Sequence, residues 1–373
     1  MNQKKSKSSW WNRPRIVIPA LVGILVVAAI LIVVFVVIKP GGQGNKPPQV
    51  SDQTKPFSFV IDTRIDVNPD AGGAFGATNN EVVLQIGDNP DNQYVVNWGD
   101  GSKAELNVNR HVYAGDPAEY TVSIVGLLPG GIRFSVAAGD SVYGEKRLTK
   151  VLNSLLEEKG KDFSNKFYDC SNLTEIPEDL FVNNPNVTSF ERAFAGCTSL
   201  QNIPEKLFAG DSAVTNFAGV FAGCTAVSSV PAGLFASNPA VTNFFQAFSG
   251  CAMTELPAGL FAKNPAVTSF AGAFLDCKLL QSIPENLFAN NPAVTDCSYT
   301  FCGNIALQKI PAKLFANNPS VADFSGAFMF CTAVTGKLPE LWVSHPNAAH
   351  VLTFSGVVNA DNYAAATEAG WAD

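Results

Sequence analysis

Apolar positions recur through the second half of this chain with a period of 27 residues. Phenylalanine stands at positions 167, 194, 221, 248, 274, 301 and 328, each within A-F-x-G-C or a variant of that phrase. Pro177, Pro204, Pro231, Pro257, Pro284, Pro311 and Pro339 run in the same phase, each closely followed by Leu-Phe or, at the end, Leu-Trp. Self-similarity at this length predicts a solenoid, whose units cannot bury their apolar faces alone and stack on their neighbours. One unit, Cys197 to Gly223, reads CTSLQNIPEKLFAGDSAVTNFAGVFAG. Cys197, Leu200 and Ile203 fit a brief strand that stops at Pro204, since proline cannot donate to a ladder. Val214, Phe217, Phe221 and Cys224 fall on one face of a short helix. The Asn-Pro step, as in Asn264-Pro265 or Asn318-Pro319, marks a loop. The pattern therefore predicts an α/β solenoid of about seven repeats over residues 165–350, with residues 351–373 as a C-terminal cap.

The first half has a different texture. Ile16 to Ile38 is an uncharged, largely apolar run of 23 residues, long enough as a helix to span roughly 34 Å of bilayer. Residues 1–15 carry Lys4, Lys5, Lys7, Arg13 and Arg15 and no acid, which predicts a cytoplasmic tail. Trp10 and Trp11 sit at the expected membrane interface. Residues 39–55 are rich in Pro, Gly and polar side chains and read as a flexible linker. From 56 to 145 the runs Phe57–Ile61, Glu81–Ile86, Tyr94–Trp98 and Tyr120–Val125 predict a small all-β sandwich. Residues 146–164 supply a capping helix and linker: Leu148, Val151, Leu152, Leu155 and Leu156 follow helical spacing and Gly160 provides the stop. The location implied is the cell membrane, crossed once, with every domain after the anchor outside.

Charge narrows the partners. The chain carries −7 overall and the tail +5, so everything beyond the tail is −12. No basic stripe is available to neutralise phosphates, which argues against nucleic acid. The three histidines, at 111, 345 and 350, stand in no register with a nucleophile or carboxylate cluster. No phosphate-binding or dinucleotide fingerprint occurs. The sequence thus reads as a non-enzyme without a cofactor. Cys170, Cys197, Cys224, Cys251, Cys277 and Cys331 recur with the repeat, so their number follows repeat count. Stacked strands would bring neighbouring cysteines within disulfide range, but parallel Cβ vectors suit bridges poorly. Buried free thiols in the ladder are the expected state, and the absence of C-x-x-C argues against zinc.

Two resemblances rest on specific residues. Trp98-Gly99-Asp100-Gly101, followed by His111, Tyr113 and Tyr120-Thr121-Val122, resembles the polycystic-kidney-disease-type (PKD) β-sandwich. There the glycines serve a tight turn, and Asp100 reads as a turn residue before a metal ligand or acid. The array resembles the BspA-like leucine-rich-repeat surface proteins of bacteria, whose signature is matched by Val187 to Leu200, VTSFERAFAGCTSL. Departures occur: the unit after Cys251 is one residue short, Cys297 replaces a Phe, Asn304 replaces the periodic Cys, and Pro339 comes one residue late. The resemblance implies an extracellular leucine-rich-repeat solenoid used in adhesion or protein binding.

In this reading Phe194, Phe221, Phe248, Phe274, Phe301 and Phe328, with Cys197, Cys224, Cys251, Cys277 and Cys331, form the structural ladder. Glu175, Gln201, Ser228, Glu255, Gln281 and Gln308 are the candidate binding face. With no aromatic row among them for stacking sugars, an extracellular protein is favoured over a glycan. The rival reading is a structural spacer or envelope component without a specific ligand.

Overall fold

Short strands and turns build most of what the structure, a computed structural model, describes, namely residues 55–67, 69–138 and 141–372. Strands β1 (Phe57–Asp62), β4 (Gln93–Asn97), β6 (Glu119–Leu127) and β10 (Leu148–Val151) form one antiparallel sheet in the order β10-β1-β6-β4. Phe59 lies opposite both Val122 and Val151, at the apolar centre of that sheet. Three two-stranded pairs complete the β region. These are β2 (Glu81–Val83) with β5 (Arg110–Val112), β3 (Gln85–Ile86) with β7 (Ile132–Arg133), and β8 (Ser135–Ala138) with β9 (Ser141–Gly144). Among the described residues no helix is long and apolar enough to cross a membrane. The Ile16–Ile38 run, its basic tail and the linker up to residue 54 lie outside them.

The repeats stack as a solenoid, but their coils contain neither the predicted strand nor the predicted helix. Within the predicted helix, the stretch from Phe217 to Cys224 is a ribbon of consecutive tight turns. Within it the N–H groups of Val220, Ala222 and Cys224 bond back three residues inside their own coil. Those of Phe217, Gly219, Phe221 and Gly223 reach instead to carbonyls of the next coil at 2.7–3.0 Å. Left-handed backbone at Gly219 (φ 61°) and Gly223 (φ 72°) makes this alternation possible, and an α-helix cannot contain it. Similar apolar spacing arises from both geometries, so periodicity alone points to the wrong one. The Cys197–Ile203 stretch forms no strand because few backbone bonds cross to the preceding coil there, among them Ser199 N–H to the Ser171 carbonyl. The parallel contacts appear as single bridges, running from Asp162 through Ser189, Asn216, Asn243, Ser269, Asp296 and Asp323 to Ala349.

Aromatic rings fill the coils. Phe167, Phe194, Phe221, Phe248, Phe274, Phe301, Phe328 and Phe354 form a continuous stack, with centroids 5.1–5.8 Å apart and planes within 16° of parallel. Phe181, Phe208, Phe235, Phe261, Phe288 and Phe315 make a second column, stacked at 5.6–6.2 Å. Every one of these rings is buried. The first stack continues into the β region, where Phe134 lies 5.4 Å from Phe167 at an interplanar angle of 11°.

That continuity corrects the capping helix predicted for residues 146–164. Leu148-x-x-Val151-x-x-x-Leu155-Leu156 has the same spacing as Leu173-x-x-Ile176-x-x-x-Leu180-Phe181 one coil later. The backbone treats the two as equivalent: Val151 N–H donates to the Glu175 carbonyl and Leu155 N–H to the Leu180 carbonyl, both at 2.9 Å. The segment is a degenerate first coil, and its opening residues are also strand β10 of the four-stranded sheet. The β region and the array therefore share one coil, and a single hydrophobic core runs from Phe57 to Ala372. Arg147 secures the junction. Fully buried, its guanidinium donates to Glu145 and to the carbonyls of Phe75, Asn79 and Glu81.

At the other end Trp371 packs against the last coils. It stacks on His350 at 4.5 Å, lies 6.0 Å from Phe324, and its carbonyl accepts from Phe354 N–H. The only α-helices among the described residues, Leu341–Ser344 and Tyr363–Glu368, belong to these last coils.

Removing one ring from the stack should be costly because its neighbours cannot collapse into the gap. Phe248→Ala should lose about 3–5 kcal/mol, whereas the exposed Gln281→Ala should lose under about 0.5 kcal/mol. Urea unfolding of the two variants checks this, and similar losses would contradict the assigned core.

Candidate binding surfaces

The predicted polar face is exposed throughout, but its residues do not form one column. Gln308 N–H donates to the Gln281 carbonyl at 3.1 Å, and Gln281 N–H donates to the Thr254 carbonyl at 2.9 Å. Thr254 thus holds the place assigned to Glu255, which moves to the adjoining column. The cause is the residue missing after Cys251: Met253 enters the core one position earlier than Leu200 or Val227 does in its own coil. Glu175 aligns with Asn202 rather than Gln201 and faces Lys150 at 3.6 Å. Gln201, Ser228, Gln281 and Gln308 share the column, which Thr335 continues.

A second surface, missed in the sequence, lies on the turn ribbon. Each coil offers two left-handed positions four residues apart, such as 192 and 196, 219 and 223, or 299 and 303. Glycine or Asx fills many of them, but Arg192, Gln246, Tyr299, Phe330 and Leu352 do not fit that rule. At the first position large residues alternate with glycine from coil to coil. Arg192 lies over Gly219, Gln246 over Gly272 and Tyr299 over Gly326, where a Cβ would meet the covering side chain at 2.5–3.1 Å. Towards the C-terminus the exposed members become apolar: Tyr299, Phe330 (53 % exposed), Val351 and Leu352, with Phe245 further back. The signal available in the sequence was this exchange of Gly for bulky residues at a fixed phase.

Buried polar groups separate from both surfaces. The Asn of each Asn-Pro step, read in the sequence only as a loop marker, is a core residue. Asn238, Asn264, Asn291 and Asn318 are completely buried, and each Nδ2 donates to two carbonyls of the preceding coil at 2.8–3.1 Å. His345 takes the same place at the end, facing the Asn318 carbonyl at 3.0 Å. All eight cysteines are free. The thiols of Cys197, Cys224, Cys251, Cys277 and Cys331 each donate to a Phe carbonyl of the preceding coil at 3.1–3.3 Å. Burial pushes those of Cys224, Cys277 and Cys331 up to about 12, so they remain protonated and poorly nucleophilic. Among the described residues no group of three or more His, Cys, Asp or Glu is placed to hold a metal ion.

The Trp98–Gly101 segment is a turn held by its own side chains. Gly99 and Gly101 have φ of 83° and 81°, and a Cβ on Gly99 would strike the Thr121 carbonyl. Asp100 Oδ1 accepts from Ser102 N–H at 3.0 Å, and Oδ2 lies 2.7 Å from His111 Nε2. His111 stacks on Trp98 at 5.1 Å, while the Tyr113 hydroxyl donates to the Trp98 carbonyl at 2.9 Å. Partial burial opposes ionisation of Asp100. Hydrogen bonds from Ser102 and His111 outweigh it and bring the carboxyl down to about 2 from 3.8.

No protein-family model matches the chain, and no curated protein matches it. Among solved structures, it is similar to a chain of the Toll–Spatzle complex of Drosophila, with a TM-score of 0.31, 16% identity and 54% of this chain aligned. The glycosylated form of that complex gives a TM-score of 0.30 at the same identity. The aligned part spans only 33% and 30% of those longer chains.

The Asp100 geometry gives a signed prediction. A carboxyl held below its unfolded value stabilises the fold above about pH 3.8, and that contribution disappears as pH falls towards 2. Asp100→Asn should therefore destabilise the β region at pH 7 and flatten the acid limb of its unfolding profile. Trp98 fluorescence during acid titration reads this out, and an unchanged profile would remove the carboxylate from the account.

Proposed function

We propose that this chain is a membrane-anchored surface protein that presents its repeat array to a protein partner. The observation carrying the partner reading is conformational. Tyr299, Phe330 and Leu352 adopt φ of 53°, 62° and 60°, where a side chain other than Gly or Asx is disfavoured by about 1 kcal/mol. Gly219, Gly272 and Gly326 occupy the ribbon position of Tyr299 and Leu352 without that cost, and Gly223, Gly250 and Gly303 occupy that of Phe330. Bulky side chains retained in strained backbone, exposed and gathered in the last three coils, fit selection for contact rather than for folding. Aromatic and aliphatic anchors of this type are the usual centre of a protein interface.

The anchor rests on the Ile16–Ile38 run and the basic tail before it. The bacterial surface assignment rests on the repeat signature and its PKD-like neighbour. The polar Gln281–Gln308 column offers a partner hydrogen bonds but no apolar centre, so it is the secondary surface.

Two measurements test the proposal. External protease on intact cells should remove the region after Lys39 and spare residues 1–15; protected repeats would refute the topology. Tyr299→Gly with Phe330→Gly should leave unfolding stability within about 1 kcal/mol, since glycine relieves the left-handed strain. That pair should lose a partner retained by the intact chain, whereas Gln281→Ala with Gln308→Ala should keep it. If the intact chain retains no partner reproducibly, the passive-spacer reading replaces this one.

A further inference from the structure

One coil breaks the buried amide column. Where the coils on its C-terminal side carry Asn238, Asn264, Asn291 and Asn318, this coil carries Asp211, which is 1 % exposed. Each of those amides donates from one Nδ2 to carbonyls lying 26–27 and 29–30 residues back, as Asn238 does to Asp211 and Phe208. The same offsets place Asp211 against the carbonyls of Asn184 and Phe181. An ionised carboxylate has no hydrogen to give them, while the protonated acid has one. Neither carboxyl oxygen of Asp211 has a hydrogen-bond partner, which is the least favourable state for a buried charge.

We infer that Asp211 is a pH-sensitive joint in the array: protonated, it donates to the Phe181 or Asn184 carbonyl and holds its coil closed, and ionised, it loosens that coil.

No charged side chain faces the joint to relieve the ionised form. Its neighbours in the column, Asn184 and Asn238, are neutral amides, and the column's other titratable member, His345, lies in the last coils. The charged side chains at the adjoining coil corners, Lys206 and Glu178, pair with each other at the surface at 3.5 Å. Burial, without a Coulombic partner, pushes the Asp211 carboxyl up to about 7 from 3.8. The folded chain therefore holds this proton more tightly than the unfolded chain. The stabilisation is complete below about pH 3.8, declines above it, and is fully lost once pH has risen through about 7.

Hydrogen exchange on the full chain in detergent, at pH 5 and pH 8, tests the joint. The reporters are the Val187 and Val214 amides, which bond to the carbonyls of Asn184 and Asp211, against Val294, which bonds to the Asn291 carbonyl, as a control. Protection factors at the joint should fall on the order of tenfold to a hundredfold between the two conditions, with the control unchanged. Asp211→Asn should abolish the difference, because the amide restores the donor used elsewhere in the column. Asn264→Asp should transplant the same pH-dependent loss to the Val267 amide. A pH-independent wild type, an Asp211→Asn variant that keeps the dependence or fails to fold, or an Asn264→Asp variant without it would each overturn the inference.

Discussion

Everything in the array depends on every second N–H of the turn ribbon leaving its own coil. Phe217, Gly219, Phe221 and Gly223 bond forward to the next coil while Val220, Ala222 and Cys224 bond within their own. A chain that bonded wholly within itself would be a helix with no backbone tie to its neighbours. One that bonded wholly outwards would be a strand too extended to close a coil of 27 residues. The compromise needs left-handed backbone every fourth residue, which explains the Gly before each of Cys197, Cys224 and Cys251. It also fixes the contents of the core. Turns of this kind direct Phe217, Phe221 and Cys224 to the same side at one level per coil, so rings stack on rings and thiols reach carbonyls of the coil before.

The period and the buried Phe and Cys positions were legible in the sequence because packing repeats them in nearly every coil, Cys297 and Asn304 being exchanges within that pattern; the β character of the first folded segment was legible from its short alternating runs. Local backbone was not. Val214, Phe217, Phe221 and Cys224 satisfy helical spacing, and only the phase of Gly219 and Gly223 separates a turn ribbon from a helix. The segment 148–156 was misread for the same reason: its leucines match a helix, and they also match Leu173, Ile176, Leu180 and Phe181 position by position. The missing residue after Cys251 shifted Glu255 out of the column, since a period counted from cysteine cannot say where inside the coil a deletion is absorbed. The chain absorbs it before Met253.

The buried amides show a different limit. Asn-Pro reads as a loop signal because both residues favour turns, and the chain does turn there. The turn lies inside the coil, however, and the corner carbonyls of the coil before have to be satisfied away from water. An amide is suited to this because one nitrogen carries two hydrogens and can serve two carbonyls together. No pattern of apolar residues reveals such a requirement. Constancy of a polar residue at one phase does, and so does the single coil in which Asp211 replaces it.

The two constraints leave few positions free. Ring columns, thiols, corner amides and one Gly per turn are set by stacking, and the Thr residues at 188, 215, 242, 268 and 295 each bond a carbonyl of the preceding coil. Side-chain chemistry varies most at the first left-handed position of each ribbon, at the residue beside it, and in the polar column that includes Gln281. At the ribbon position the residue that suits folding best is glycine, and alternate coils use it. The intervening coils carry Arg192, Gln246, Tyr299 and Leu352, changing from charged to polar to apolar along the array. Arg192, Gln246 and Tyr299 cover the glycine of the next coil, but that contact does not require the change in chemistry, and each side chain runs against backbone preference. Covering a glycine therefore does not account for the change of chemistry from coil to coil.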